Sequence, residues 1–158
     1  MIDRDLIIKK LAEGLKDNKS VLAMWLEGAD ANELVDEYSD LDIWIEVKDG
    51  TEKKIMKKVQ TILESMGELD LVSDKKNTHP KILEYVFHIK NTNPFLLIEI
   101  AIQSKSRKFC FVKEFDHEKP KVIFVKNNVL KYASLNKKEW EKELQDDLKQ
   151  LKNIFRQQ

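Results

Sequence analysis

The chain has 158 residues, 42% of them apolar, and its 28 Lys+Arg balance 28 Asp+Glu; that suits one domain with a true core and excludes a disordered chain, a collagen-like repeat and a coiled rod. Zero net charge argues against a general nucleic-acid binder, and the longest apolar runs, Val21 to Leu26 and Phe95 to Ile98, fall far short of the ~20 residues of a membrane helix. The acidic start Met1-Ile2-Asp3-Arg4-Asp5 does not read as a signal peptide, and the single cysteine, Cys110, makes no internal disulfide and no cysteine-based zinc site, so the expected setting is the cytoplasm.

Asp3 is suited to cap a first helix, in which Ile7, Ile8, Leu11, Ala12 and Leu15 recur at helical spacing until Asp17-Asn18. Val21 to Leu26 is short and wholly apolar, as a strand buried on both faces would be. Leu41 to Val47 alternates, with Leu41, Ile43, Ile45 and Val47 on one face and Asp40, Asp42, Trp44 and Glu46 on the other. Asp49-Gly50-Thr51-Glu52 has capping-box spacing with Asp49 as the cap. It opens a helix whose stripe is Ile55, Val59, Ile62, Leu63 and Met66, closed by Gly67. Ile82 to Lys90 and Phe95 to Gln103, joined by Asn91-Thr92-Asn93-Pro94, read as an antiparallel hairpin. Lys121 to Val125 and Val129 to Tyr132, joined by Lys126-Asn127-Asn128, read as a second one. A last helix is capped by Asn136, with Trp140, Leu144, Leu148, Leu151 and Phe155 as its stripe. The order implies an α/β (α+β) fold: a mixed β-sheet with helices mainly on one face. Residues 1–132 would form this domain, with 133–158 an amphipathic helix packed on it.

Charge is unevenly spread. Nine acids against Lys48 alone occupy Glu27 to Asp49, whereas ten Lys/Arg against three acids occupy Lys105 to Lys138. Within the acidic stretch, Asp40 and Asp42 leave the same strand face with Cα atoms roughly 6.5–7 Å apart. Burying the apolar face Leu96, Ile98, Ile100 and Ile102 of the later strand turns Glu99 toward that same open side. An acid within Phe-Leu-Leu-Ile-Glu-Ile-Ala-Ile is costly to desolvate unless a cation, a hydrogen bond or water compensates. If the two strands are neighbours, the three carboxylates converge, and their repulsion favours a bound cation. Oxygen ligands without a Cys or His cluster suit Mg²⁺ or Mn²⁺ better than zinc.

Gly28-Ala29, ten intervening residues, then Asp40-Leu41-Asp42 on a strand, preceded by the apolar strand Val21 to Leu26, resembles the signature of the polymerase-beta-type nucleotidyltransferase superfamily. The segments Trp-Leu-Glu-Gly-Ala-Asp-Ala (25–31) and Asp-Glu-Tyr-Ser-Asp-Leu-Asp (36–42) are especially similar to bacterial antibiotic nucleotidyltransferase-like domains. The resemblance covers roughly residues 1–132 in element order, with its specific motif in 25–42 and further support near Glu99. It implies attack of an acceptor hydroxyl, on a small molecule or a protein, at the α-phosphate of a nucleoside triphosphate such as ATP. Two metal ions, Mg²⁺ or Mn²⁺, would be held by Asp40, Asp42 and Glu99 as the catalytic and metal-binding acids. Gly28, Ala29 and Ser39 would meet the nucleotide, while Lys105, Arg107 and Lys108, just after the third-acid strand, read either as a solvated basic turn or as cations that meet the triphosphate, with Lys105 and Arg107 taken as nucleotide-binding candidates.

The pattern departs from the family's usual form at four positions. Ala29 stands where Ser or Gly is typical, Asn32 and Glu33 where an Arg or small polar residue and a Gly are common, and Glu99 where Asp is usual. The alternative is therefore a catalytically degenerate nucleotidyltransferase-like module that works through a partner or as a homodimer. His88 reads as a structural histidine near Glu99, Trp25 as core and Trp44 as a residue on the carboxylate face able to stack a base. Cys110 reads as a buried small hydrophobe.

Overall fold

A computed structural model describes residues 2–76, 79–115 and 119–156, with the backbone alone at 143, 150 and 153–156. Helix α1 (Arg4–Lys16) starts where Asp3 accepts the backbone N–H of Leu6 at 2.9 Å, and buries Ile7, Leu11 and Leu15. Strand β1 (Val21–Leu26) is buried along its whole length. A four-residue turn of helix, α2 (Gly28–Ala31), and a loop lead into β2 (Leu41–Val47). Helix α3 (Glu52–Glu64) buries Ile55, Met56, Val59 and Leu63. Then come β3 (Leu69–Lys75), β4 (Ile82–Ile89), β5 (Ile98–Ser104), β6 (Phe111–Val112), β7 (Lys121–Val125), β8 (Tyr132–Ala133) and α4 (Lys137–Arg156). No helix among the described residues is long and apolar enough to cross a membrane.

Six strands form one mixed sheet in the order β3-β4-β5-β2-β1-β7. The expected hairpin of β4 and β5 is present, antiparallel, and β5 runs parallel to β2. Helices α1 and α3 cover one face, where their apolar stripes meet Met24, Leu26, Leu41, Ile43, Ile45, Ile98, Ile100 and Ile102 in a single core. The opposite face carries a smaller cluster of Ala23, Trp25 and Phe111, with Trp44, Phe109, Val129 and Leu130 packed on it. Alternation along β2 thus divides its residues between a dry layer and an open one.

Three expectations need correction. First, the α3 capping box does not form around Asp49: Thr51 is the N-cap, without a side-chain bond to the helix. Asp49 instead accepts the N–H of Ser106 at 2.9 Å, and Glu52 accepts from Gly50 N–H at 3.1 Å and from the Ser104 hydroxyl. The carboxylates that would cap the helix tie it to the turn after β5. Second, the hairpin of 121–125 with 129–132 does not form. Strand β7 pairs with β1, while Tyr132–Ala133 leaves to pair in parallel with Phe111–Val112. Val129 and Leu130 gain more by packing on the Trp25–Phe111 cluster than by lying beside an exposed β7. Third, the strand expected from Phe95 begins at Ile98; Phe95 lies outside it, 51% exposed, with its ring 5.0 Å from that of Tyr38.

Strand β3 has no counterpart in the sequence reading. It is an edge strand, exposed at nearly every position, that pairs antiparallel with β4. Along α4, Asn136 accepts the Glu139 N–H at a long 3.5 Å, and Trp140 lies 6.0 Å from the ring of Phe115. Leu144, Leu148 and Leu151 on its stripe remain exposed, and the side chain of Phe155 lies outside the described residues.

Candidate active site

The parallel pairing of β2 with β5 sets Asp42 directly opposite Glu99. Asp40, just before β2, joins them: one oxygen from each of Asp40, Asp42 and Glu99 lies within 4.8 Å of the others, and all three residues are half-buried. The floor of the cleft at this point is apolar strand and its rim is charged. It has a volume of about 250 Å³ and is lined by Glu27, Gly28, Asp42, Trp44, Lys75, Glu84 and Glu99, among others.

Electrostatics mark Asp42 as the strained member. Burial, reinforced by the negative charges of Asp40, Glu99 and Glu27, raises its pKa from 3.8 to about 6. A divalent cation among these oxygens would relieve both the burial cost and the repulsion, and an all-oxygen donor set fits a hard cation. The residues present therefore fit such an ion. Lys75, at the end of β3, supplies part of the compensation: its ammonium lies 2.5 Å from Glu99 Oε2, and this bond raises the lysine's own pKa. Neither the edge strand that delivers Lys75 nor its reach to Glu99 leaves a pattern in the sequence.

Gly28, two residues past β1 and the first of α2, takes φ +63, in the left-handed region, and a Cβ there would run into the Asp42 carboxylate. The glycine thus serves two ends: it turns the chain and lets the turn sit against the carboxylates. Glu27, one residue earlier, donates its N–H to the Asp42 carbonyl at 3.2 Å and accepts the Trp25 indole N–H at 2.8 Å. Ala29 places a methyl group in the same turn, and Glu33 adopts φ 58.

The remaining expected residues fall in three places. The Ser39 hydroxyl is spent inside its own loop: it donates to Asp36 Oδ1 at 2.6 Å and accepts the Asp36 N–H at 3.0 Å. Arg107 lies along the open face beside the first cleft, where Gly28, Trp44, Phe109, Phe111 and Lys119 line a second cavity with it, of about 350 Å³. Its guanidinium sits 4.4 Å from the Phe109 ring centre and 5.4 Å from that of Trp44, and donates to Gln103 Oε1 at 2.6 Å. Trp44 in turn stacks on Trp25, ring centres 6.0 Å apart. Lys105 lies farther along, with Lys108, Lys131 and the buried Glu46, around a third cavity that the three carboxylates do not line. His88 is tied away from the carboxylates, 2.6 Å from Asp70 Oδ1 and 3.1 Å from the Asn93 carbonyl. Cys110 is exposed rather than buried, because Phe109 and Phe111 on either side turn to the aromatic cluster.

The arrangement of a glycine turn, an acidic strand pair and a third acid on the neighbouring parallel strand agrees with a comparison of whole sequences. Residues 8–135 match the family model described as nucleotidyltransferase domain. That is more than half of the chain, and the protein belongs to this family, within the polymerase-beta-type nucleotidyltransferases. No curated protein matches the sequence significantly. Membership supports nucleotidyl transfer as the general function and a nucleoside triphosphate as substrate.

Proposed function

We propose that the protein transfers a nucleoside monophosphate from a nucleoside triphosphate, ATP among them, to a hydroxyl of a small molecule or a protein, in the cytoplasm. The observation that carries this reading is the convergence of Asp40, Asp42 and Glu99 beside the Gly28 turn. These three acids would hold Mg²⁺ or Mn²⁺, in the two-ion form general to such chemistry, and the bound ions would supply charge stabilisation for the attacking and leaving oxygens. In the reaction an acceptor O–Pα bond forms, the bond from Pα to the bridging oxygen of the β-phosphate breaks, and pyrophosphate leaves. The hydroxyl proton passes to a carboxylate oxygen of the cluster and on to water.

The chain's own residues divide the other tasks. Backbone N–H groups at Gly28 and Ala29 face the phosphates without a bulky side chain between. Arg107, placed over the rings of Phe109 and Trp44, offers a cation beside an aromatic surface for the nucleotide. Ser39 acts here by fixing the loop ahead of Asp40 rather than by touching the nucleotide, and Lys105 meets only a group that extends along the open face.

The test is calorimetric binding of the four common nucleoside triphosphates with and without Mg²⁺ or Mn²⁺. The expected result is cation-dependent binding of at least one of them, weakened at least ~10-fold by Asp42→Asn. Failure of all four to bind with either ion present contradicts the reading. A second reading, a binding module without turnover, has one observation in its favour: Ala29 and Glu33 put a methyl and a left-handed glutamate where a hydroxyl and a glycine would serve phosphate better. It predicts that a nucleotide and cation bind but that no pyrophosphate is released when hydroxyl acceptors are offered; steady pyrophosphate release argues against it.

A further inference from the structure

Arg4, the first residue of α1, is 15% exposed and turns its guanidinium into the base of the active-site loops. Nη1 donates to Asp30 Oδ2 at 2.5 Å and to the Asp40 carbonyl at 2.8 Å, and Nη2 donates to the Ser39 carbonyl. Asp30, on α2, is only 5% exposed. One planar fork therefore joins three segments: the helix that starts the domain, the turn that begins at Gly28, and the backbone entering the acidic strand. Resting on the nucleotidyl-transfer reading, we propose that Arg4, with Asp30 as its counter-ion, is a positioning residue that sets the Gly28 turn against Asp40 and Asp42 in the spacing cation and phosphate binding require.

The surrounding bonds show why this one link matters. Residues 32–40 have little regular structure; Leu34 N–H donates to the Ala29 carbonyl at 3.0 Å, and the Tyr38 ring packs on Phe95. Asn93 Nδ2 donates to the Glu37 carbonyl at 2.8 Å, and Leu41 N–H donates to the Leu97 carbonyl at 2.8 Å. Between these anchors, the carbonyls of 39 and 40 are held by Arg4. Asp40 lies outside β2, so its carboxylate takes its place from this segment rather than from the sheet ladder. A lysine has one nitrogen at the end of a flexible stem and cannot span a carboxylate and two carbonyls in a fixed plane. Burial of Asp30 makes its charge costly, and Arg4 is the partner that compensates it.

Two measurements on the whole chain decide the matter, for the native protein, Arg4→Lys and Arg4→Ala. The first is Mn²⁺ affinity by electron paramagnetic resonance; the second is backbone amide exchange without metal. The expected result is a loss of Mn²⁺ affinity of at least tenfold in Arg4→Ala and a smaller loss in Arg4→Lys. Exchange would be faster at residues 28–42 and unchanged in the core of β5. Native Mn²⁺ affinity and native exchange at 28–42 in Arg4→Ala overturn the proposal, as does a variant whose exchange rises equally everywhere. Should Arg4→Ala fail to fold, Arg4→Lys carries the same comparison. If the native protein itself binds no Mn²⁺, the transfer reading fails separately, and exchange at 28–42 alone decides the role of Arg4.

Discussion

The two faces of β2 are made from alternate residues of one seven-residue strand, yet they obey different rules. Leu41, Ile43, Ile45 and Val47 point into the helix-covered core and are fully buried. Asp42, Trp44 and Glu46 point to the open side, where the site, the aromatic cluster and a hydrogen bond from Gln103 to Glu46 lie. The fold and its chemistry are thus separable by residue parity: the dry face specifies where the strand sits, and the open face carries charges that oppose folding and await a ligand.

Substitutions at nearby positions of opposite parity should have opposite effects. Ile45→Ala removes a fully buried side chain between the sheet and the helices. It should cost about 2–5 kcal/mol in chemical denaturation, while any Mn²⁺ binding by the folded fraction stays native. Three residues earlier, Asp42→Asn should do the reverse. Because the folded pKa of Asp42, about 6, lies above its ordinary 3.8, the folded state binds more protons between those values and native stability falls as pH rises through that window. Asp42→Asn should therefore gain, discounting for solvent screening, on the order of 1–2 kcal/mol at pH 8 relative to the native protein, and that gain should vanish near pH 4. A loss of stability at pH 8 would break the parity rule.

A smaller effect sharpens the same contrast in the loop between the faces. Glu33 holds φ 58, a conformation that costs a side-chain-bearing residue roughly 1–2 kcal/mol. Glu33→Gly should stabilise the protein by no more than about 1 kcal/mol, after glycine's greater entropy loss. A melting curve checks it, and a drop in stability would mean that the Glu33 side chain contributes contacts worth more than the backbone strain.

What was legible in the sequence followed period and burial. The alternation of 41–47 and of 96–102 placed both strands with their apolar faces inward, and that alone turned Asp40, Asp42 and Glu99 to a common side. The parallel register that makes Asp42 and Glu99 neighbours supplied the rest. Strand β3 was not legible because an edge strand open to solvent on both faces has no apolar period to display; Lys75 was hidden with it. The pairing of Arg4 with Asp30 joins positions 26 apart through tertiary contact and leaves no local trace. The second hairpin misled because Asn127 and Asn128 do take the left-handed turn its chemistry suggested, while the apolar residues after it were drawn to Phe111 instead.

Nucleotidyl transfer at this site requires a cation shared by Asp40, Asp42 and Glu99. Crystals soaked with Mn²⁺ and a non-hydrolysable triphosphate, measured for manganese anomalous scattering, test it directly. The predicted result is a peak at about 2.0–2.2 Å from oxygens of Asp40, Asp42 and Glu99, with the Lys75 ammonium displaced from Glu99 and the α-phosphate beside the Gly28 turn. A nucleotide bound elsewhere, or no peak among those oxygens at saturating Mn²⁺, would contradict it.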